Sequence, residues 1–532
     1  MQTRVAVIGA GALGLMAMKT LKEDGFDVTG YETRSWAGGL WKYSDDASLS
    51  AADKTVFNSS IYRSAMSDYP FPEGTDDFPT AAQLHSYLED YCDYFELRSR
   101  IHFSTCVLNV SRDRGQWRLI VDSKEFGKRE DRYDKVVVAI GTFSKPKIVD
   151  IRGLEHFTGK YLHAIDLHQP SQYRGQTVLF IGLHATAQDA VETLSDCAQK
   201  IYISHRNGVV LLPRYGPDGA TFDQTQTLQV LLIMTALFAW LPNFTNWVLD
   251  RVVLSMSAKA YPTLKKSWNL SPAPSISVTP PLIADSILPH LQSGFAEPVA
   301  SVRCIRKDQS VELTDGRILE DIDTILFCTG YDSYIRFLSK GLNPYHVTGE
   351  VGNLYHGTFP VHADPDVRSS IAYLGHAGIA FPGMIQFEIQ AMAISQTWLG
   401  NSPLPSLQEM KKWHRGLLRW RQDMVKRQKV ESTFYPVVLP FAPHLRWLNK
   451  TAGTGVFEHF GWFDSRAWSF WRSDRTFYKQ CLNGVLSPTI FRLFDVGKRK
   501  ALPWKTAKEM ILRDNQRAQK QKLERLASKK NV

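Results

Sequence analysis

The stretch RVAVIGAGALG, residues 4–14, predicts the fold class of the chain. Its apolar half, Arg4–Ile8, predicts a buried strand, and the residues after the turn predict a helix that runs to about Glu23. Between strand and helix stand the three glycines Gly9, Gly11 and Gly14. In this pattern the first glycine makes a tight turn, the second lets a pyrophosphate approach the backbone, and the third lets helix and strand pack. The stretch therefore predicts a dinucleotide-binding unit with phosphate at the helix N-terminus.

The residues that follow complete this first unit. Val28–Tyr31 predicts a second strand, and Glu32 at its end is placed to accept hydrogen bonds from an adenosine ribose. Two consecutive glycines, the second of them Gly39, then let the backbone pass close to a flat ligand, and Leu40 and Trp41 follow. An acid at the end of the second strand makes the glycine pattern a much more specific indication of dinucleotide binding than the glycines alone.

A second unit of the same kind lies in the middle of the chain. Gln176–Ile181 predicts a strand, and FIGLHATAQD, which begins at Phe180, occupies the position of a second glycine turn. Gly182 keeps the first glycine, but His184 stands where the backbone would meet phosphate. A histidine can still donate a hydrogen bond to phosphate, or act as a cation if it is protonated. The other residues of this turn that we expect to bind a cofactor are Thr186 and Asp189.

The strand after this second turn ends without an acid. An acid at this position would bind the free ribose hydroxyl of NAD, whereas the planar fork of an arginine suits a 2′-phosphate. Because the strand ends in Ser204, His205 and Arg206, Arg206 together with His205 favours NADPH over NADH. The alternative interpretation is that Arg206 is an exposed surface residue.

Together these motifs resemble the flavin-containing monooxygenase family, in which GxGxxG is followed by Glu and then by GG-x-W. The resemblance covers roughly Val5–Leu399. It implies that the first turn binds FAD and the second NADPH. It also implies that three further segments contribute cofactor-binding residues: the crossover turn at Gly141, the FCTGY sequence with Thr329 and Gly330, and the turn at Gly375.

Two catalytic candidates come from the same resemblance. Phe157-x-Gly159-xxx-His163 matches the identifying motif of the family, although Leu167 stands at its last, aromatic position, where Baeyer–Villiger enzymes carry Trp. His163 is compatible with a buried structural role, with a role in domain motion and with general acid catalysis. Ser64 occupies the position at which family members often carry an Asn near the flavin.

The predicted architecture is α/β, with two Rossmann-like domains. The NADPH-binding domain, residues 166–330, is expected to be inserted into an FAD-binding domain built from residues 1–165 and 331–400. An apolar helical insertion belongs to the NADPH-binding domain. Residues 401–532 are expected to form a helical extension with a basic tail.

The net charge of +10 comes almost entirely from this tail, since residues 498–532 alone carry +9. The composition therefore does not indicate a nucleic-acid surface. We interpret the tail as a solvated, partly helical end, with weak attraction to anionic membranes or to a partner as the alternative. Six cysteines without CxxC spacing favour reduced thiols over disulfides or a zinc site, and no other metal site is expected.

The longest apolar run, Leu228–Leu241, is 14 residues long and ends before Pro242. It is shorter than the roughly 20 residues that span a bilayer. The run predicts a buried helix, and a substrate-channel lid or a membrane-surface contact are the alternatives. The N-terminal strand leaves no room for a signal peptide, so the expected location is cytoplasmic.

The resemblance implies a monooxygenase in which NADPH reduces FAD and reduced FAD meets O2. A C4a-hydroperoxyflavin would then transfer oxygen to nitrogen or sulfur of a small organic molecule, as in natural-product tailoring enzymes. A Baeyer–Villiger enzyme that acts on a ketone is one alternative. An FAD-binding oxidase that does not use NADPH is another. The sequence predicts neither the substrate nor the oligomeric state.

Overall fold

The computed structural model describes residues 2–44, 49–143, 145–346, 350–428, 438–494, 496 and 504–530. Its N-terminal part contains a parallel sheet, one antiparallel meander and three helices. In chain order the elements are β1 (Arg4–Ile8), α1 (Ala12–Glu23), β2 (Asp27–Tyr31), α2 (Ile61–Ser64), α3 (Ala81–Tyr94), β3 (Ile101–His102), β4 (Thr105–Asp113), β5 (Gln116–Ser123), β6 (Gly127–Tyr133), β7 (Lys135–Val138) and β8 (Lys145–Pro146).

The middle of the chain builds a second parallel sheet, a second antiparallel meander and a pair of consecutive surface helices. Its elements are β9 (Lys160–His163), β10 (Thr177–Ile181), α4 (Ala185–Leu194), β11 (Lys200–Ser204), β12 (Leu211–Leu212), α5 (Leu228–Trp240), α6 (Pro242–Ala260), β13 (Leu282–Ile283), α7 (Ile287–Ser293), β14 (Ala296–Val299), β15 (Val302–Ile305), β16 (Val311–Leu313), β17 (Ile318–Leu319) and β18 (Thr324–Phe327).

The remainder returns to the first sheet and then becomes helical. Its elements are β19 (Tyr331–Asp332), β20 (Leu354–Tyr355), β21 (Phe359–Pro360), α8 (Pro365–Ser370), β22 (Ile371–Tyr373), α9 (Gly383–Trp398), α10 (Leu407–Gln428), α11 (Phe441–Ala452), α12 (Val456–Phe460), α13 (Ser465–Ser473), α14 (Arg475–Asn483) and α15 (Ala507–Lys530).

Two parallel sheets organise the molecule. The first has the order β22-β7-β1-β2-β3 and the second the order β14-β11-β10-β18-β9. The central strands are apolar on both faces because helices and loops cover both sides, and Val5, Ala6 and Val7 are fully buried. Since β22 follows the whole second sheet in sequence but pairs with β7, the second sheet is inserted into the first. The predicted fold class is confirmed.

The domain boundary differs from the prediction. We placed the start of the second domain at residue 166, yet β9 (Lys160–His163) pairs in parallel with β18 in the second sheet. The change therefore occurs before Lys160, within the chain that follows β8. There β8 and β19 pair antiparallel, so the segments that leave and re-enter the first domain run side by side.

The apolar run forms a helix, but the prediction that this helix is buried is only partly right. Of α5, only Leu228, Leu231, Leu232 and Thr235 are buried, because one side packs on α11 and α14 and the other side faces outward. No helix among the described residues combines the length and apolarity that a bilayer crossing requires.

The basic tail is also different from the solvated end that we predicted. Its residues 498–503, 531 and 532 lie outside the described residues, but α15 (Ala507–Lys530) is one continuous helix. Ala507, Ile511 and Ala518 are buried against the body of the protein. Some of the described tail charges are paired as well, since Arg513 contacts Glu73 at 2.6 Å and Lys522 contacts Asp218 at 2.7 Å.

Candidate functional site

The first glycine turn is formed as the sequence predicts. Gly9 has φ +101°, and a Cβ there would lie 2.7 Å from the carbonyl oxygen of Ala139. At Gly14 a Cβ would lie only 1.8 Å from the carbonyl oxygen of Gly9. These two glycines are therefore required by the packing of the turn itself, where helix α1 starts close to strand β7.

Gly11 is different, because the protein has room for a side chain there. The nearest atom to an added Cβ is the Cα of Gly39, at 3.5 Å, which is an ordinary van der Waals contact. The absence of a side chain at Gly11 thus serves something other than the packing of the protein. This is the behaviour expected of a backbone position that a pyrophosphate approaches, so the turn fits a dinucleotide.

The second glycine pair lies directly against this turn. Gly38 donates its N–H to the carbonyl of Ala10 at 2.9 Å, and Gly39, Leu40 and Trp41 form one helical turn beside it. The ring of Trp41 packs edge-to-face on Phe57, with centroids 5.1 Å apart. Two backbone segments without side chains thus face each other at the start of α1.

Glu32 lies at the carboxyl end of β2, beside the same turn. Its side chain is almost fully buried, and its two carboxylate oxygens accept hydrogen bonds from the N–H groups of Ala10 at 2.8 Å and Arg34 at 3.0 Å. These bonds hold the carboxylate next to the glycines, at the strand end where we predict ribose binding.

Gly375 connects the return of the first domain to this site. It has φ +93°, and an added Cβ would lie 2.5 Å from the side chain of Leu13 in the first turn of α1. The turn between β22 and α9 is therefore packed against the first glycine turn, as the predicted flavin pocket requires. Ser64 lies in α2, a short buried helix that packs on α9.

The two crossover segments are tied together near Gly330. The carbonyl of Gly330 accepts hydrogen bonds from the N–H of Lys147 and from Nε2 of His163, both at 3.0 Å. The hydroxyl of Thr329 donates to the carbonyl of Lys147. Gly141 stands at the start of the other crossover, in the left-handed region with φ +76°.

His163 is buried at the end of β9 and bonds to backbone through both ring nitrogens. Nδ1 accepts from the N–H of Ile165 at 3.2 Å, so Nε2 carries the proton that is donated to Gly330. Burial lowers the pKa of His163, which favours the neutral ring. The arrangement supports the structural and domain-linking interpretations more than the catalytic one.

The second turn has the same backbone geometry as the first at its first glycine, but a histidine side chain occupies the position that is free of a side chain in the first turn. Gly182 has φ +114°, and a Cβ there would lie 2.6 Å from the carbonyl oxygen of Cys328, as at Gly9. His184 precedes α4, and its Nε2 lies 3.1 Å from the carbonyl oxygen of Pro280. Burial lowers the pKa of His184, so the protonated, cationic form is disfavoured.

Helix α4 also joins the two domains. Asp189 accepts a hydrogen bond from the hydroxyl of Thr55 in the first domain at 3.0 Å. Burial raises the pKa of Asp189 to about 6. Thr186 lies in the first turn of the same helix. The second turn is therefore positioned against the loop that follows the Gly38–Trp41 segment.

At the end of β11 the structure separates His205 from Arg206. His205 is buried, with Nδ1 and Nε2 within 3.0 Å of the carbonyl oxygens of Asn207 and Trp268. Arg206 is exposed. Of the two residues that we proposed for a 2′-phosphate, the structure therefore favours Arg206 alone.

A contact that the sequence did not indicate lies between α2 and the loop before α5. Arg63 is fully buried and donates to Gln226 Oε1 at 2.9 Å, and the N–H of Ser60 donates to Asp223 Oδ2 at 2.9 Å. These residues are more than 160 positions apart. No local pattern could have paired them.

Comparisons with known proteins agree with this geometry. The model of the flavin-binding monooxygenase-like family matches residues 2–434. Monooxygenase aurF of Gibberella zeae is 30% identical over 96% of this chain and 97% of its own length. Human flavin-containing monooxygenase 2 is 28% identical over 77% of this chain and 76% of its own length.

Among solved structures, S-allyl-L-cysteine S-oxygenase from Allium sativum is similar with a TM-score of 0.60 and 21% identity. The alignment covers 85% of this chain and 89% of that one. At this identity the likeness supports the fold. The sequence comparisons go further, and the chain belongs to the flavin-binding monooxygenase-like family as a flavin-dependent monooxygenase with FAD and NADPH as its cofactors.

Proposed function

We propose that this enzyme oxygenates nitrogen or sulfur of a small organic molecule, with NADPH and O2 as co-substrates. The observation that carries the proposal is the pairing of two glycine turns on two parallel sheets. The hydrogen bond from Thr55 to Asp189 and the pairing of β8 with β19 both join the two domains that carry these turns. Such a pairing suits hydride transfer between two bound dinucleotides.

The residues of the chain bind and orient, and the cofactor supplies the reaction. Bound FAD would supply the chemistry, namely acceptance of hydride from NADPH and transfer of one oxygen atom of O2 to the substrate while the other leaves as water. Gly11 would give the pyrophosphate of FAD access to the backbone, and Glu32 would accept hydrogen bonds from its ribose. Arg206 would pair with the 2′-phosphate of NADPH.

A relative named for N-oxide formation supports a heteroatom as the site of oxygenation, since dimethylaniline monooxygenase (N-oxide-forming) 2 of Macaca mulatta is 28% identical over 77% of this chain. Leu167 does not discriminate between heteroatom and ketone, because it is neither the aromatic residue of the family motif nor the Trp of Baeyer–Villiger enzymes. We propose a specialised secondary metabolite as substrate. In support, the similarity to aurF extends over 96% of this chain, well beyond the 77% shared with human flavin-containing monooxygenase 2, and so includes the helical extension.

Product identification tests this proposal. Purified enzyme would be incubated with NADPH, ¹⁸O2 and panels of amines, thioethers and ketones, and the products analysed by mass spectrometry. We expect N-oxides, hydroxylamines or sulfoxides that contain one ¹⁸O atom. Esters or lactones from the ketones alone would instead show Baeyer–Villiger chemistry. If neither NADPH nor NADH bleached the flavin in stopped-flow absorbance, the chain would be an oxidase or a binding protein.

A further inference from the structure

Helices α5 and α6 form a hairpin with little protein around it. Helix α6 starts at Pro242, one residue after the last apolar residue of the run. Only Thr245 and Ser257 of its 19 residues are buried, and it packs mainly on α5 and β12. A helix pair with so few buried residues gains little from packing against its own domain.

The outward side of this hairpin is apolar. At the tip, Trp240 is 82% exposed and Leu241, Phe244 and Trp247 are each more than half exposed. Further exposed apolar residues occur in both helices; we call the whole set the hairpin face: Val230, Ile233, Leu237, Trp240, Leu241, Phe244, Trp247, Val252 and Leu254. A concentration of large exposed apolar residues of this kind marks an interaction site.

The exposed charged residues of the hairpin segment itself have one sign. Between residues 228 and 268 the exposed charged residues are Arg251, Lys259, Lys265 and Lys266. The single acid in that range, Asp250, is turned inward, where Oδ1 accepts from the hydroxyl of Ser275 and the N–H of Ile276, both at 3.0 Å. The segment therefore combines exposed apolar residues with exposed basic residues.

The aromatic residues at the tip are arranged as at a membrane–water interface. The rings of Phe244 and Trp247 stack with centroids 6.0 Å apart, and the guanidinium of Arg251 lies 5.3 Å from the centroid of Trp247. An indole beside a cationic group suits the headgroup region, which is apolar on one side and wet on the other. Helix α5 is only about 20 Å long, so it can lie in this region but cannot cross the roughly 30 Å hydrocarbon core.

We propose that the hairpin face inserts into the surface of a bilayer that contains anionic lipids. The apolar face would enter the boundary of the acyl chains, and the four basic residues would meet the lipid phosphates. A second copy of the chain is a poorer partner, because a two-fold contact through this face would bring like charges together. This docking is separate from the oxygenation that we propose above.

Vesicle co-sedimentation tests the proposal with the full-length flavoprotein. The probes are large vesicles of phosphatidylcholine, with or without 30% phosphatidylglycerol. We expect binding to the anionic vesicles that weakens as salt is raised. The triple variant Trp240→Ser, Phe244→Ser, Trp247→Ser should bind at least about tenfold more weakly. Arg251→Glu with Lys259→Glu should lose the preference for anionic lipid.

A matched control is Phe126→Ser, which removes a ring that is 68% exposed in the turn between β5 and β6 and should leave vesicle binding unchanged. FAD content and NADPH-dependent flavin reduction show that each variant is folded. Sedimentation velocity without lipid tests the alternative that the hairpin face forms a dimer interface. A wild-type dimer that the triple variant converts to a monomer, with no binding to either vesicle, would overturn the proposal and identify a dimer interface. Equal vesicle binding by wild type and the triple variant would also overturn it.

Discussion

At the scale of single residues, the three glycines of the first turn have different functions. A Cβ at Gly14 would lie 1.8 Å from a backbone oxygen, whereas a Cβ at Gly11 would meet nothing closer than 3.5 Å. We therefore expect Gly11→Ala to leave the thermal stability of the apoprotein almost unchanged and to weaken FAD binding about tenfold, because the methyl group occupies the approach of the pyrophosphate. The ratio of flavin to protein absorbance and a titration of apoprotein with FAD measure this.

Gly14→Ala is the matched comparison for this prediction. Its methyl group collides with the protein and not with the cofactor, so α1 must shift and the apoprotein itself should lose several degrees of thermal stability. A Gly11→Ala variant that is still fully occupied by FAD would show that the turn does not bind the dinucleotide. So would an apoprotein that Gly11→Ala destabilises as much as Gly14→Ala does.

Arg206 is the residue that should distinguish the two nicotinamide cofactors. Its side chain is exposed at the end of β11, beside His205, which is held by backbone carbonyls. A charge-assisted contact to a 2′-phosphate contributes about 1.5–3 kcal/mol, so Arg206→Ala should raise the KM for NADPH by about tenfold or more. The KM for NADH should change little. Arg306→Ala, at another exposed arginine of the same domain, is the control; equal losses with both cofactors would contradict the role.

Asp189 gives the apoprotein a measurable pH dependence. Burial raises the pKa of Asp189 to about 6, above the value of about 4 in the unfolded chain. The folded protein therefore binds this proton more tightly, and its free energy of unfolding falls as the pH rises from about 4 to about 6. Asp189→Asn keeps an acceptor for Thr55 and removes the charge. We expect it to raise the melting temperature by about 1–3 °C at pH 8 and not at pH 4.

Asp196→Asn is the control for that measurement, since this carboxylate is exposed and pairs with Lys54 at 2.9 Å. Thermal unfolding without NADPH at the two pH values compares the variants. If Asp189→Asn stabilised the protein equally at both values, its effect would come from something other than the raised pKa.

At the scale of elements, α15 ties the tail to both halves of the molecule. Arg525 forms an ion pair with the buried carboxylate of Asp77 in the first domain and donates to the carbonyl of Gly219 at 2.9 Å in the loop before α5. Tyr62 of α2 bonds to Gln521 of the same helix. The helix therefore bridges the segments that line the interdomain contact.

We expect Arg525→Ala to lower the free energy of unfolding by about 2–3 kcal/mol, because the buried carboxylate of Asp77 loses its cation and keeps, among the described residues, only the hydrogen bond from Tyr62. Lys520→Ala on the same helix is the comparison. Its pair with Glu524 is exposed and 4.0 Å long, so its loss should cost less than about 0.5 kcal/mol. Urea unfolding of the two variants measures the difference. Similar small losses would mean that α15 is not docked in solution.

At the scale of the whole molecule, the features that the sequence predicts correctly are local ones. A glycine turn, the strand before it and the acid after it lie within about 30 residues, so their spacing alone predicts the first unit. The sequence-based predictions were wrong or missing for features that depend on contacts between residues far apart in the sequence. The exposed side of α5 depends on how few elements pack against it, and the docking of α15 depends on Asp77 and Gly219, which are hundreds of positions away.

The domain boundary was misplaced for the same reason. The boundary that we predicted at residue 166 leaves His163 in the first domain, but β9 belongs to the second sheet through its pairing with β18. The structure also gives this motif a physical meaning. His163 stands at the edge of the second sheet and holds the crossover at Gly330, through which the chain returns to the first domain.

This arrangement leads to a prediction about how the two domains are held for hydride transfer. His163→Leu removes the donor to Gly330 and should slow flavin reduction by NADPH about tenfold, because a small displacement of one domain is enough to lose that factor. FAD content should not change. His163→Gln places an amide N–H near the position of Nε2 and should restore most of the rate. Stopped-flow absorbance at 450 nm measures the rate of flavin reduction in wild type and in each variant.

The pH profile separates this positioning role from general acid catalysis. Burial lowers the pKa of His163, which favours the neutral ring near neutral pH. The profiles of wild type and His163→Gln should therefore have the same shape for both flavin reduction and oxygenation. If His163→Gln were as slow as His163→Leu and also lost an ionisation that wild type shows, His163 would be a proton donor in the reaction and not the link between the domains.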